Sequence, residues 1–308
     1  MKQNKIIVVG STNMDMVVKT EHIPVPGETV LGGSFFMNPG GKGANQAVSV
    51  ARLGGDIIFI TKIGDDIFGR QSSQLFDEEG IDTIGLIPDE DSPSGVALIT
   101  VDRSGENSIV VAPGANAHLT PAEVEKVLNV IPSAGILLMQ LEIPMDTVKF
   151  AAAYAANRGI LVILNPAPAN KVASELFRLV DIITPNVNEA EMLSGIAVTS
   201  LETAKQAAEA IQEQGAKKVV ITMGKMGAVI LEGKKFQAIP APLVEAIDTT
   251  AAGDSFNGAL AVALSEGKSL SNAVHFACLA ASKAVTRMGA QSSMPYRSEL
   301  VLDMLNAL

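Results

Sequence analysis

Residues 135–164 read GILLMQLEIPMDTVKFAAAYAANRGILVIL, and this stretch decides the fold. It opens on one apolar run, 135–141, and closes on another, 160–164. Apolar runs without alternation are the mark of strands covered on both faces. Between them, residues 145–157 carry apolar side chains at helical spacing. Strand, helix, strand is a βαβ unit, whose two strands lie parallel. Working outward, 5–10, 57–60, 181–184 and 218–222 are further short runs rich in Ile, Val and Leu. Thr120-Pro121-Ala122-Glu123 makes a capping box with Pro at the first helical position, and 201–214 is a helix ending at Gly215. Strands alternating with helices predict an α/β fold built on a mainly parallel sheet.

Two regions break that rhythm. Residues 16–38 are short extended pieces punctuated by Pro24, Pro26, Gly27, Gly32 and Gly33. Residues 95–114 read as a hairpin: GVALITVD, a turn at Arg103-Ser104-Gly105, then NSIVVAPG. Both lack a helical pattern. They are expected to pair into a small β-sheet domain, beside a body made of 1–15, 39–94 and 115–308. Flanked by Gly40-Gly41 and Gly114, such a sheet would serve as a lid over a ligand; surface hairpins of no special role are the other reading. A small sheet has edges and an apolar face to cover, which makes a homodimer through the lid plausible.

The bulk numbers exclude several classes. The chain has 308 residues, 47% hydrophobic and 18% charged, with a net charge of −10. Nucleic acid is not expected as a standing partner, because such binding rests on basic patches. A nucleotide in a local cradle remains compatible. Cys278 is the single cysteine, in the helical run HFACLAASKAV, and is expected to be a buried thiol in a reducing cytoplasm. The start, MKQNKIIVVG, reads as a first strand rather than a signal peptide. No apolar run reaches the roughly 20 residues that span a bilayer, so no membrane partner is expected. His22, His118 and His275 share no spacing with one another or with Cys278, and no GxSxG elbow occurs. Zinc sites and hydrolytic triads drop out.

Residues 248–258, DTTAAGDSFNG, place tiny residues at the mouth of a helix. Ala251, Ala252 and Gly253 leave backbone N–H groups open to an anion, and Asp254 stands where it can take a proton from a hydroxyl beside a phosphate. A capped helix after a turn is the plain alternative. Residues 38–52, NPGGKGANQAVSVAR, form a second glycine-rich helix start. Gly40, Gly41 and Gly43 admit a ligand to the backbone, while Lys42 and Asn45 add a charge and an amide. It is not a Walker A loop, since Gly43 follows Lys42 and Phe36 stands where the first Gly belongs, and GxGxxG is absent. At the end of the first strand, Asn13 and Asp15 offer groups suited to vicinal hydroxyls, or simply form an Asx turn. Glu142 follows its strand in the same way. Asn186 and Glu189 are either an N-cap with a first-turn acid or a pair able to order the water shell of Mg²⁺. Residues 222–227, TMGKMG, make another strand-to-glycine turn.

Together these stretches resemble the PfkB-type carbohydrate kinases over essentially the whole chain. The resemblance rests on GSTNMD at 10–15, GGKGANQA at 40–47, NPAPA at 165–169 and NVNEAE at 186–191. It continues with TMGKMG at 222–227, DTTAAGDSFNGA at 248–259 and AVTRMGAQSS at 284–293. It implies a doubly wound α/β domain with a β-sheet lid, and transfer of the ATP γ-phosphoryl group to a sugar hydroxymethyl, with D-ribose the expected sugar. Deoxyribose, fructose or a nucleoside is the near alternative, and a non-catalytic sugar sensor a more distant one. By resemblance Asp254 is the general base, and the amides of Ala251, Ala252, Gly253 and Asp254 form the anion hole. Asn13, Asp15, Gly41, Lys42, Gly43, Asn45 and Glu142 would hold the sugar. Asn186, Thr222, Gly224, Gly227 and Gly253 would hold ATP, with Cys278 near the adenine and Glu189 tied to Mg²⁺. Oxygens of Asp248, Thr250, Ala284, Arg287, Gly289 and Ser293 would bind a monovalent cation, usually K⁺. Many relatives carry Gly where Ala251 stands, a change that leaves the amides open.

Overall fold

The computed structural model describes residues 4–131, 133–169 and 174–300. The outer ends of the expected body domain, 1–3 and 301–308, lie outside the described residues. The chain opens with β1 (Ile6–Val9), β2 (Asn13–Lys19) and β3 (Ser34–Gly40), followed by helix α1 (Lys42–Arg52). Next come β4 (Ile57–Gly64), α2 (Ile67–Glu78), β5 (Leu86–Asp89), and the hairpin β6 (Gly95–Val101) and β7 (Asn107–Ala112). α3 (Pro121–Val130), β8 (Ile136–Met139), α4 (Met145–Ala156) and β9 (Leu161–Leu164) follow. Then come α5 (Ser174–Phe177), β10 (Ile182–Ile183), α6 (Val187–Ser194), α7 (Leu201–Glu213) and β11 (Lys218–Thr222). A second hairpin, β12 (Ala228–Glu232) and β13 (Lys235–Ile239), precedes α8 (Ala252–Ser265) and α9 (Leu270–Ala284).

Nine strands make the main sheet, in the order β13-β12-β11-β10-β9-β8-β1-β4-β5. From β11 to β5 every pairing is parallel; only β12 and β13 are antiparallel. The jump from β1 outward to β4 on one side and β8 on the other makes the sheet doubly wound. Strand β1, IIVV, shows why such strands do not alternate. Ile6 and Val8 pack into the core under α1, α8 and α9, while Ile7 and Val9 pack into the opposite core under α3, α4 and α7. Both faces are buried, so every position is apolar. The open crevice at the carboxyl ends of β1 and its neighbours is where ligands gather in such sheets.

The lid regions form a separate four-stranded sheet, β3-β2-β6-β7. Asn13 pairs with Gly40 on one side and Gly95 on the other, so the strand begins at Asn13 and takes in Asp15. One face looks into a cleft against the body. On the outer face Val18, Phe35, Met37, Leu98 and Val110 are exposed. Val18 lies opposite Phe35, and Leu98 opposite Val110, so these side chains form one apolar patch.

The helix start expected at Thr120 is a capping box, with Thr120 accepting from Glu123 N–H and Glu123 returning the bond. Boundaries shifted by a few residues elsewhere. Strand β8 stops at Met139, two residues short of the expected run, because Gln140 turns toward buried amides. β4 runs on to Gly64, where β5 provides a partner that the apolar runs did not signal. The β12–β13 hairpin also went unread; its turn at Gly233 (φ 59°) reverses the chain at the sheet edge.

Candidate active site

Helix α1 starts on Gly41, whose φ of 88° is left-handed and which offers no side chain to cap the helix. Its orphaned first-turn N–H groups are taken up by the facing loops. Lys42 N–H donates to Glu142 Oε2 (3.0 Å), and Gly43 N–H to Ser11 Oγ (3.3 Å). Ser11 Oγ–H donates to Glu142 Oε2 (2.5 Å), and Ala44 N–H to the Ser11 carbonyl (2.9 Å). The loops after β1 and β8 and the start of α1 therefore share one hydrogen-bonded knot. It demands glycine: a Cβ on Gly43 would sit 2.5 Å from the Gly10 carbonyl carbon and the Ser11 nitrogen.

Asp254 lies in the first turn of α8, 5% exposed. Asn45 Nδ2 donates to its Oδ2 (2.9 Å) and Gln46 Nε2 to its Oδ1 (2.9 Å). Asn45 and Asp254 are 209 residues apart in sequence, and the packing of α1 on α8 joins them. Burial pushes the Asp254 carboxyl above its ordinary range; Lys42 and the two amides pull the other way, and Glu142 adds to the rise. Burial works against the Lys42 ammonium, but Asp254, Glu142, Glu189 and Asp15 outweigh it and hold its pKa up. Lys42 is thus the cation of a nest of carboxylates, a perturbation expected of functional groups. Asp15 is raised to about 6, by burial first and then by Glu142 and Asp254.

Asp15 opens onto a cleft of about 1080 Å³ between the small sheet and the body. Asn13 is oriented beside it, its Oδ1 accepting from Asn116 Nδ2 (2.8 Å). A second cavity, of about 330 Å³, is lined by Thr222, Gly224, Gly227, Gly253 and Cys278, with the apolar Leu243 and Val244. Asn186 lies beside Thr222 in a parallel bridge. Burial pushes the Cys278 thiol up to about 12, so it lines the cavity as an apolar group. Ala246 and Thr249 line both cavities, so the stretch leading into α8 is the wall between them.

That stretch leads into the expected anion cradle, whose Ala252 and Gly253 line the smaller cavity. Ala251, the N-cap of α8, is left-handed (φ 56°) and makes no side-chain cap bond. A Cβ on Gly253 would meet no protein atom within 4 Å, so protein packing does not require the glycine. Open space beside first-turn N–H groups fits an anionic ligand.

Asn186 and Glu189 form a reciprocal capping box for α6: Asn186 Oδ1 accepts from Glu189 N–H, and Glu189 Oε2 from Asn186 N–H, each at 2.9 Å. The cap uses one Glu189 oxygen and leaves Oε1 as an acceptor. Burial, above all, raises the Glu189 carboxyl, against the Asn186 N–H and Lys42. No three acidic, histidine or cysteine side chains cluster as a metal cage among the described residues. The donor set suits Mg²⁺ that would arrive with a nucleotide and keep most of its waters, with Glu189 Oε1 able to accept from one of them.

For the expected cation, Asp248, Thr250 and Gly289 line the same cleft. Asp248 Oδ1 accepts from Thr250 N–H and Oδ2 from Gly289 N–H, each at 2.9 Å. Burial opposes its charge, but those bonds and Lys19 hold its pKa below the usual range. The Val285 carbonyl, next to Ala284, accepts from Ile247 and Asp248 N–H. Arg287 N–H donates to the Ala284 carbonyl, and the buried Ser293 Oγ–H to the Ala290 carbonyl (2.8 Å), which leaves the hydroxyl lone pairs free. Asp248, Thr250 and Gly289 are thus joined by hydrogen bonds at the cleft, whereas Ala284, Arg287 and Ser293 do not line it.

Gln46, Gln140, Asn165 and Asn116 were not singled out from sequence. Gln140 had a readable signal, as the polar residue in the apolar run ILLMQL. Gln46 and Asn165 lie within the motifs at 40–47 and 165–169, while Asn116 carried no signal because its partner is remote in the chain.

The profile of the family described as pfkB family carbohydrate kinase matches residues 3–297. The ribokinase of Haemophilus influenzae is 45% identical over 294 residues, 96% of each chain. The crystal structure of ribokinase from Thermotoga maritima superposes with a TM-score of 0.89 at 41% identity, covering 98% of this chain and 99% of that one. The Arabidopsis thaliana ribokinase complexed with ribose and ATP gives 0.89 at 32% identity, covering 98% of each.

Proposed function

The chain belongs to the pfkB family of carbohydrate kinases and is an ATP-dependent phosphotransferase with an alcohol acceptor, and from that premise we propose that it phosphorylates D-ribose at the 5-hydroxyl, with Asp254 as general base. The observation that carries the reading is the wall between the two cavities. A sugar in the cleft beside Asp15 and a nucleotide in the smaller cavity would meet at Asp254 and the first turn of α8. Phosphoryl transfer needs in-line positioning and charge stabilisation more than covalent help. Lys42, Asn45, Glu142, Asn13 and Asp15 would fix the sugar so that its 5-hydroxyl faces Asp254. The amides of Ala251 to Asp254 would meet the charge on the transferring group, each such donor worth about 3 kcal/mol of barrier. Asp254 would accept the proton late, once bond formation has made it acidic. Mg²⁺, bound with ATP near Glu189, would neutralise phosphate charge. A monovalent cation at Asp248, Thr250, Ala284, Arg287, Gly289 and Ser293 would steady the cradle and strengthen its field. Closure of the lid would exclude water that otherwise hydrolyses ATP. The exposed apolar patch on the outer face of the lid supports a homodimer through that face, which sedimentation measures directly.

ADP formation from ribose, 2-deoxyribose, fructose and adenosine, each in K⁺ and in Na⁺, tests substrate and cation together. Ribose in K⁺ should be fastest; Asp15 faces the 2- and 3-hydroxyls and favours ribose over deoxyribose modestly. A faster rate on another acceptor rejects ribose, and equal rates in the two salts reject the cation site.

Asp15 carries a pH dependence. Sugar binding should weaken as pH falls through about 6, where the carboxylate takes up a proton. Ligand-free stability should move oppositely. A carboxyl raised in the folded state contributes stability that is full below its unfolded value of 3.8 and is lost as pH rises through about 6. Asp15→Asn should therefore raise the ligand-free Tm at pH 7 to 8 while weakening sugar binding. Calorimetric titrations and melts from pH 5 to 8 read both; a variant with lower Tm and unchanged affinity refutes this role.

A further inference from the structure

Gln46 sits one residue beyond Asn45 on α1 and is fully buried, 0% exposed. Its amide has one orientation. Oε1 accepts from Gln140 Nε2 (2.6 Å), while Nε2 donates both its hydrogens, to Asn165 Oδ1 (3.0 Å) and Asp254 Oδ1 (2.9 Å). Asp254 can only accept, so its carboxylate sets the Gln46 amide with Nε2 toward it and Oε1 toward Gln140 Nε2; a flipped amide would set its oxygen against two acceptors. Gln140 reaches that point because position 10 is glycine, whose Cβ would collide with the Gln140 amide.

The chain of bonds continues past Gln46 and returns to α8. Asn165 Nδ2 donates to the Thr184 carbonyl (3.1 Å), and Thr184 Oγ1–H to Asn257 Oδ1 (2.6 Å). Asn257 Nδ2 donates to the Gly253 carbonyl (2.8 Å). One buried run of amides thus holds the Asp254 carboxylate at one end and the backbone of the cradle at the other. Asn45 secures the second carboxylate oxygen.

We infer that Gln46 is a positioning residue for the general base: its amide, braced by Gln140 and Asn165, fixes the Asp254 carboxylate in register with the cradle at the start of α8. The inference rests on the proposed role of Asp254. Positioning matters because a displacement of about 1 Å at the reacting groups costs roughly 10²-fold in rate. The amide also acts on proton affinity, since a hydrogen bond to the charged form favours ionisation. The other charged groups around Asp254 are Lys42 on α1, Glu142 after β8, Asp15 on β2 and Glu189 on α6.

The test is the pH profile of kcat for Gln46→Met, which keeps length and volume but removes the donor. The plateau should fall by about 10- to 100-fold, and the acid limb should move up by roughly one to two pH units. In the Asp254→Asn background the same substitution should cost nothing further, because both changes remove one function. Gln46→Glu fills the same space and should also lift the acid limb, which covers the case in which the methionine variant fails to fold. An acid limb left in place in both variants, or losses that multiply with that of Asp254→Asn, would show a packing residue and overturn the inference alone. Near-normal turnover in Asp254→Asn would overturn the role of Asp254 and this inference with it.

Discussion

An Asp254→Asn enzyme should still bind sugar and ATP and should turn over roughly 10²–10⁴-fold more slowly, the usual scale for a positioned base. The substitution keeps the size and planarity of the side chain. In the proposed mechanism it removes the group that would take the hydroxyl proton while the first turn of α8 holds the phosphate. The surroundings make the loss hard to cover. Asp254 is buried, and its two oxygens accept from Asn45 and Gln46. An asparagine there satisfies only one of those donors and turns its own N–H₂ toward the other. The neighbouring carboxylates already have partners: Glu142 Oε2 accepts from Ser11 Oγ–H and the Lys42 N–H, and Glu189 Oε2 from the Asn186 N–H. Steady-state kcat with saturating sugar and ATP, beside calorimetric sugar affinity, separates the two effects. A variant that binds and turns over normally removes Asp254 from the mechanism.

Gly43→Ala should be the most damaging of the small substitutions. Helix propensity alone favours it, since alanine is better than glycine in a helix by about 1 kcal/mol. The contacts decide otherwise. The new methyl would lie 2.5 Å from the carbonyl carbon of Gly10 and the nitrogen of Ser11, and backbone atoms yield far less than a flexible side chain. Overpacking of this kind costs typically 1–3 kcal/mol. The displacement would open the knot of Ser11, Glu142 and the first turn of α1. It would shift Lys42 and Asn45 relative to Asp254. Tm should fall by roughly 2–5 °C, and kcat/KM for the sugar by about 10²-fold or more. Melting curves and initial rates on one preparation read both. A variant within error of the parent in both measurements contradicts the proposed close packing.

The parallel core was legible because its signal is local. In β1 two faces are buried at once, so IIVV needs no alternation, and the capping box at Thr120 is complete within four residues. In the hairpin β12–β13 only β13 is obscured, because it is the edge strand and carries Lys235 and Gln237 among its apolar residues; β12, AVILE, has the same buried, unalternating pattern as β1. The site followed the same division. Glycines at 41, 43 and 253 announce a close approach, and the family motifs then attach roles to Lys42, Asn45 and Asp254. What spacing could not supply is which residue meets which. Asp254 finds Gln46 across 208 residues, and Asn13 finds Asn116 across 103. Those pairs exist because α1 packs on α8 and because the small sheet returns to the body beside its own first strand.

If the two cavities flank the site where phosphate passes from ATP to the 5-hydroxyl of ribose, phosphorus NMR of the wild-type protein with ATP, Mg²⁺, K⁺ and D-ribose should show one ribose 5-phosphate for each ADP, the new phosphorus coupled to the C5 protons. Ribose that binds in a calorimetric titration yet yields no ADP and no phosphorylated sugar would contradict it.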